Sequence, residues 1–402
     1  MAGLITLTIG QDVNIYFDII EAICQKLKDK EKIIFLSINK LMETLKKHIY
    51  YHNMVKLAVI HNLSYRRRFT NVKTDLATLI KLSSFINTGM YNNIKRLTIN
   101  GEFYDENKKK FVLSGVSYLY FDACVNIYNK SDIKYSMKLF FSNFPNITDL
   151  DYGYCICRDF SGCIPETVKN LYFGYYFNED ITGLIPENVT HLIFSRMFNK
   201  NIRGNIPQYV THLEFGDEFD QDIHGCIPNS VTDLSFGCNF NQDIRGCIPN
   251  GVTHLTFGDN FNQYYSNSIP ESVTHLKFGN NFNVNIGASC IPKSVTHLKL
   301  GLYHEQEIYY CNFPKTIKYL DFFIENAIEE DGIEEDDIDI LSKITLLLHN
   351  FHQKFTDTST LELTKEESKE FYNLIPFSGT HLTIHRWEHY FLKKYTMILR
   401  QN

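Results

Sequence analysis

Isoleucine–proline pairs recur through the middle of this chain, with the prolines at Pro165, Pro186, Pro207, Pro228, Pro249, Pro270 and Pro292, and a phenylalanine–proline variant follows at Pro314. The intervals are 21 residues and then, for the last two, 22. A fixed period of this length marks a solenoid, in which no single unit can bury its apolar side chains alone. In one unit the apolar positions are Val189, Leu192, Phe194, Phe198, Ile202 and Ile206, and Val210 begins the next. Only Leu-x-Phe has a spacing of two, the alternation of a strand. Threonine and valine beside it favour extended backbone. Elsewhere Gly, Asn, Asp and Pro separate the apolar residues and favour turns. Proline has no N–H to give a ladder, so Ile-Pro belongs outside the sheet. Each unit therefore reads as one short strand and an irregular return arm. Stacked units build a parallel sheet with strands about 4.8 Å apart.

Residues at equal places in successive units should form columns. Two are phenylalanine: Phe173, Phe194, Phe215, Phe236, Phe257 and Phe278, then Phe177, Phe198, Phe219, Phe240, Phe261 and Phe282. Asn178, Asn199, Asp220, Asn241, Asn262 and Asn283 follow the second, placed to bond backbone groups that the sheet leaves unpaired. Cys163, Cys226, Cys247 and Cys290 share another position and read as small buried hydrophobes. A histidine column, His191, His212, His254, His275 and His297, falls on the strand face opposite Leu and Phe, with Asn170, Asp233 and Tyr319 at equivalent places. Such imidazoles can stack as a repeat feature, hold a metal or an acidic peptide, or charge below about pH 6.5. Beside them runs a variable column of Tyr172, Ile193, Glu214, Ser235, Thr256, Lys277, Lys299 and Asp321. Variation within a constant frame is where a solenoid encodes specificity, so these two columns are the expected partner-binding face.

The consensus Ile-Pro-x-x-Val-Thr-His-Leu-x-Phe-Gly-x-x-Phe-Asn resembles the FNIP repeat, a leucine-rich-repeat relative found mainly in amoebae and giant viruses that infect them. The resemblance covers about residues 145–323. It implies an α+β solenoid: a leucine-rich-repeat-like array of 21–22-residue coils with a parallel sheet on one face. Degenerate units at Ile94–Leu97, Val116–Leu119 and Ile147–Leu150 extend it upstream, with leucine spacings of 22 and 31, so one coil carries an insertion.

Residues 12–55 carry a different, helical periodicity. Asp18 opens a run in which Ile19, Ile20, Ile23 and Leu27 form one helix face and Ile33, Ile34, Leu36 and Ile38 a second, separated by the charged Lys28–Glu31. This run resembles an F-box, although Val13–Tyr16 replaces the usual opening Leu-Pro. The resemblance implies docking on a Skp-type adaptor through Ile19, Ile20, Ile23, Leu27, Ile33 and Ile34. The bland alternative is a helical cap over the first coil. Residues 1–55 are thus expected to be a small helical N-terminal head, 56–143 irregular or degenerate repeats, 144–323 the solenoid, and 324–402 an acidic linker with a helical C-terminal cap. Nine acidic residues lie between Glu325 and Asp339, a composition typical of a solvated linker. Ile340–Phe355 has helical spacing, and Thr380–Ile384 resembles one more repeat strand.

Composition narrows the function. The chain has 402 residues, 44% of them hydrophobic, and a net charge of −6, which favours neither disorder nor nucleic acid as partner. No apolar run reaches membrane-spanning length. The opening Met-Ala-Gly-Leu-Ile-Thr-Leu has no basic start, so a cytoplasmic location is expected, in the host if the source is viral. Ten cysteines are then reduced thiols, and Cys155-x-Cys157 does not fit zinc spacing. No catalytic motif is present. The expectation is a non-catalytic, cofactor-free substrate receptor that joins a target protein to a Skp–cullin type ubiquitin ligase. The alternatives are a repeat scaffold with no ligase link, or a metal-binding protein that uses the histidines.

Overall fold

The computed structural model describes residues 23–37, 46, 49–100, 111–121, 133–154, 162–263, 267–282, 291–302, 314, 316–324, 359–360, 381–388, 391–398 and 400–401. The chain divides into two compact units, Met1–Cys157 and Arg158–Asn402.

In the first unit, helix α1 (Asp29–Phe35) begins where the Glu31 carboxylate accepts from the Lys28 backbone N–H at 2.8 Å. Cys24, Leu36 and Ile49 make a small core with Phe35 against it. Asp29 and Lys32 form a buried ion pair at 2.9 Å. Asp29 also accepts from the Asn53 backbone N–H at 2.5 Å, and the Lys32 ammonium reaches the Tyr50 carbonyl oxygen at 3.4 Å. The helix is therefore tied to residues 50–53. Those residues are not helical, and Tyr51 bridges Phe69 in parallel.

From there the backbone keeps adding parallel strands: β1 (Val55–Lys56), β2 (Asn71–Asp75), β3 (Arg96–Asn100), β4 (Tyr118–Phe121) and β5 (Asp149–Asp151). Short helices fill the returns: α2 (Leu57–Ile60), α3 (Leu76–Lys81), α4 (Ser83–Ile86) and α5 (Ile133–Phe141). Asp75 caps α3 by accepting from the Thr78 N–H at 2.7 Å. Val72, Leu97, Leu119 and Leu150 lie in register and fully buried. The expected degenerate units thus contribute the strands β3, β4 and β5. Helix α5 occupies the long interval between Leu119 and Leu150. Strand β2 extends the array further upstream than the leucine pattern indicates, because Val72 replaces the leucine.

In the second unit the strands β6 (Asn170–Tyr172), β7 (His191–Ile193), β8 (His212–Glu214), β9 (Asp233–Ser235), β10 (His254–Thr256), β11 (His275–Lys277), β12 (His297–Leu302) and β13 (Tyr319–Ile324) pair in parallel with no register slip. Leu171, Leu192, Leu213, Leu234, Leu255, Leu276 and Leu298 are at most 2% exposed. Pro207 sits at a turn whose carbonyl oxygen accepts from the Val210 N–H at 3.2 Å, so the missing proline N–H costs the ladder nothing. Behind the sheet both phenylalanine columns stack as expected. Phe215 and Phe236 are 5.5 Å apart along the first, and Phe219 and Phe240 are 6.1 Å apart along the second. The columns touch at 4.0 Å between Phe215 and Phe219. Centroids at these separations, with rings within about 15° of parallel, fill the interior as two interlocked piles.

The asparagine column meets its expected role over the described residues. The Asn178 side-chain oxygen accepts from the Asn199 N–H at 2.9 Å, Asn199 from Asp220 at 3.1 Å, Asp220 from Asn241 at 2.9 Å and Asn241 from Asn262 at 2.9 Å. Each coil thereby satisfies a turn donor of the next. At Gly258 an added Cβ would lie 2.0 Å from the Gly237 carbonyl oxygen, so glycine is what lets consecutive coils approach there. Gly246 serves differently: its φ of +69° turns the return arm into open space.

The C-terminal part departs from expectation. Strand β14 (Ser359–Thr360) pairs with β17 (Arg400–Gln401), and β15 (His381–Glu388) with β16 (Phe391–Ile398), both antiparallel. Strand β15 also continues the parallel sheet from β13 with Leu382 opposite Leu320, as the Thr380–Ile384 pattern implies. The described residues beyond Ile324 are thus strands, not a helical cap: Phe391–Ile398 returns alongside β15 as a hairpin partner. Ile340–Phe355, the acidic run and Asn283 lie outside the described residues, as do Cys155, Cys157 and Cys290.

Candidate partner-binding face

Each three-residue strand turns its central leucine inward and its two flanking residues outward. The outward first position forms two ring piles separated by Asp233. Ring centroids are 4.0 Å apart between His191 and His212, 4.2 Å between His254 and His275, 4.0 Å between His275 and His297, and 4.3 Å between His297 and Tyr319. Asp233 fills the remaining place. Its carboxylate stands 3.4 Å from His212 Nε2 and 3.5 Å from His254 Nδ1.

A threonine before each histidine orients the ring. Thr211 Oγ1 lies 2.9 Å from His212 Nδ1 and 3.2 Å from the Thr190 carbonyl oxygen, and the same pair of contacts recurs for Thr253, Thr274 and Thr296. A hydroxyl proton given to the carbonyl leaves the hydroxyl oxygen to accept from Nδ1–H, which favours that tautomer where no carboxylate faces Nε2. A neutral ring in that tautomer carries its lone pair on Nε2, whereas His212 Nε2 faces the Asp233 carboxylate. Parallel stacked rings hold those lone pairs side by side instead of converging on one point. Among the described residues no group of three or more His, Cys, Asp or Glu side chains is arranged to hold a metal ion.

Burial pushes the His275 imidazole below its ordinary pKa, with help from His297 and His254, while Asp233 opposes the change. Burial likewise lowers His297, assisted by His254 and the Lys318 ammonium. In the variable column Glu214 and Lys277 are exposed, while Tyr172, Ile193, Ser235, Thr256 and Lys299 are half-buried. Glu214 sits between Ile193 and Ser235, and desolvation raises its carboxyl pKa despite its exposure. Both expected columns are thus brought onto one solvent-facing surface.

The N-terminal candidates are divided. Ile19 and Ile20 lie outside the described residues. Leu27 and Ile33 are half-buried, whereas Ile23 is 41% and Ile34 62% exposed. Two apolar side chains of the predicted adaptor-docking set therefore face solvent.

Sequence reasoning missed a second ladder at the turns after β8 to β11. The Asn281 amide donates to Asn260 at 2.8 Å, Asn260 to Asn239 at 2.9 Å, and Asn239 to the Glu218 carboxylate at 3.0 Å. The recurrent Gly-x-Asn-Phe was the available signal. Cys163, Cys226 and Cys247 are buried, and burial raises the Cys247 thiol to about 11, so it is a poor nucleophile at neutral pH.

Residues 161–196, 198–239, 240–281 and 282–323 match the FNIP Repeat family, each of the last three matches holding two coils. The match begins later than the 145 expected. The crystal structure of CroV588, a novel circular LRR protein, is similar with a TM-score of 0.50 and 27% sequence identity. That similarity covers 66% of this chain and 41% of the other, so this chain spans less than half the length of its structural neighbour. No curated protein matches the sequence.

Proposed function

With residues 161–323 being FNIP repeats folded as a leucine-rich-repeat-like solenoid, we propose that this protein is a non-catalytic adaptor that grips a target protein on its exposed sheet face. The observation that carries this reading is the changing column from Tyr172 to Lys299 set against a recurrent histidine–threonine frame. Such a frame supplies a rigid surface, and the changing residues supply discrimination at little conformational cost. The target-contacting residues are His191, His212, Glu214, His254, His275, Lys277, His297 and Lys299.

The segment 1–55 is the proposed docking head for a Skp-type adaptor of a cullin ubiquitin ligase, working in the cytoplasm. The exposed Ile23 and Ile34 support this, because isolated apolar side chains on a small helical segment gain free energy by burial in a partner. The head would tether target and ligase, raising their effective concentration without chemistry of its own. No helix among the described residues is long and apolar enough to cross a membrane.

The test is co-expression of the full chain with a Skp-type adaptor, followed by affinity capture. The adaptor is expected to co-purify and to be lost in Ile34→Asp, a surface change that should leave thermal unfolding unmoved. Failure of wild type to retain the adaptor, with target binding intact, selects the second reading, a scaffold without a ligase link. That reading is favoured by the tie of α1 to residues 50–53, which is what a plain end-cap would show.

A further inference from the structure

Charge is distributed unevenly along the exposed face. Its middle carries Glu214 on β8 and Asp233 on β9. The later coils bring Lys277 on β11, Lys299 on β12 and Lys318 immediately before β13. Lys318 stands where earlier coils have the ring-orienting threonine, and its ammonium is close enough to His297 to disfavour the imidazolium. Asp321 of β13 stands in register with Lys299. His254, His275 and His297 stack between the lysines and Asp233, and Tyr319 extends the stack, with His381 of β15 next in register.

We propose that the later half of this face, from β10 to β13, docks an acidic segment of a partner protein, its carboxylates lying along the imidazole stack between Lys277, Lys299 and Lys318. Charge complementarity selects this occupant. An extended acidic chain laid across the strands meets Lys277, Lys299 and Lys318 in turn after β10, and Nε2 of each protonated histidine adds a charge-assisted donor. A basic segment would meet three ammonium groups and is rejected.

Coupling to protons follows. Burial and neighbouring groups disfavour the charged forms of His275 and His297, so the lysines supply the leading attraction. A bound carboxylate offsets the repulsion between adjacent imidazolium ions. Binding therefore takes up protons, and by linkage lower pH tightens binding.

This inference rests on the sheet face being the partner surface, and the experiment separates the two. The full chain is titrated with a fluorescent Glu/Gly dodecapeptide by anisotropy at pH 7.5 and 5.5 in low salt. Lys277→Glu and Lys299→Glu serve as site variants. Lys200→Glu, an equal charge change on the exposed return arm, is the control. The peptide is expected to bind more tightly at pH 5.5. Each site variant should weaken it at least about fivefold, with Lys200→Glu near wild type. His275→Gln with His297→Gln should flatten the pH dependence. No binding at either pH, equal loss in Lys200→Glu, or tighter binding of a single-stranded DNA oligonucleotide overturns the proposal. If the acidic peptide fails while Glu214→Lys still releases a captured natural target, the acidic partner is refuted and the sheet-face reading stands; if both fail, both fall.

Discussion

Thr274 Oγ1 lies 2.9 Å from His275 Nδ1 and 3.3 Å from the carbonyl oxygen of Thr253, one coil earlier. One hydroxyl thereby ties a side chain of the exposed face to the backbone of the neighbouring coil. Repetition of this contact makes the face a rigid array with its imidazoles oriented.

Thr274→Val keeps shape and removes the hydroxyl. His275 is expected to lose its preference for the Nδ1–H tautomer, read as a change in its ring ¹⁵N chemical shifts. The other histidines should keep theirs, because each has its own threonine. An unchanged His275 signal would show that stacking, and not the hydroxyl, sets the tautomer.

Acid should destabilise the array through its histidines. His275 and His297 have folded-state values below the ordinary one, near 6.5 in the unfolded chain. The folded state then binds fewer protons, so this contribution is complete above about pH 6.5 and is lost as pH falls through the lowered values. Thermal unfolding midpoints should decline between pH 7 and pH 5, and His275→Gln with His297→Gln should make that decline shallower.

Asn241 accepts from the Asn262 N–H and from the Gln263 side chain at 3.1 Å. Asn241→Ala leaves a turn N–H without its acceptor and should cost about 1–3 kcal/mol in urea unfolding. Asn241→Asp should cost much less, because Asp220 already fills that place in the preceding coil and accepts from both Asn241 and Gln242.

Two glycine-to-alanine changes should differ in severity. Gly258→Ala places its Cβ against the Gly237 backbone, which cannot yield without parting two coils, and a loss of about 3 kcal/mol or more is expected. Gly246→Ala meets nothing within 4 Å and carries only the strain of positive φ, about 1 kcal/mol. Equal midpoints for the two variants would contradict the close approach at Gly258.

The repeat made much of this legible in advance. In a solenoid the environment of Phe236 or Asn241 is another copy of itself, so a local period encodes the tertiary contact directly. That is why the phenylalanine piles, the asparagine ladder and the outward histidines could all be read from spacing. The lysine-rich later half was visible as residues, but the pairing of Asp233 with His212 and His254 required the in-register sheet.

Where the period fades, sequence alone no longer settled the structure. Val72 takes the place of a leucine, and β2 is held in the array by pairing with β3, a long-range interaction with no local signature. The buried Asp29–Lys32 pair reads from the chain as ordinary surface charge; it is buried because Asn53 returns to meet it. The Phe391–Ile398 stretch has both apolar and basic residues, compatible with helix or strand, and the edge offered by β15 decides for strand. Sequence determined the unit that repeats, because each copy carries its own complement. Tertiary structure decided how the array begins and ends, because a terminal coil lacks a copy on one side and must find different partners from elsewhere in the chain.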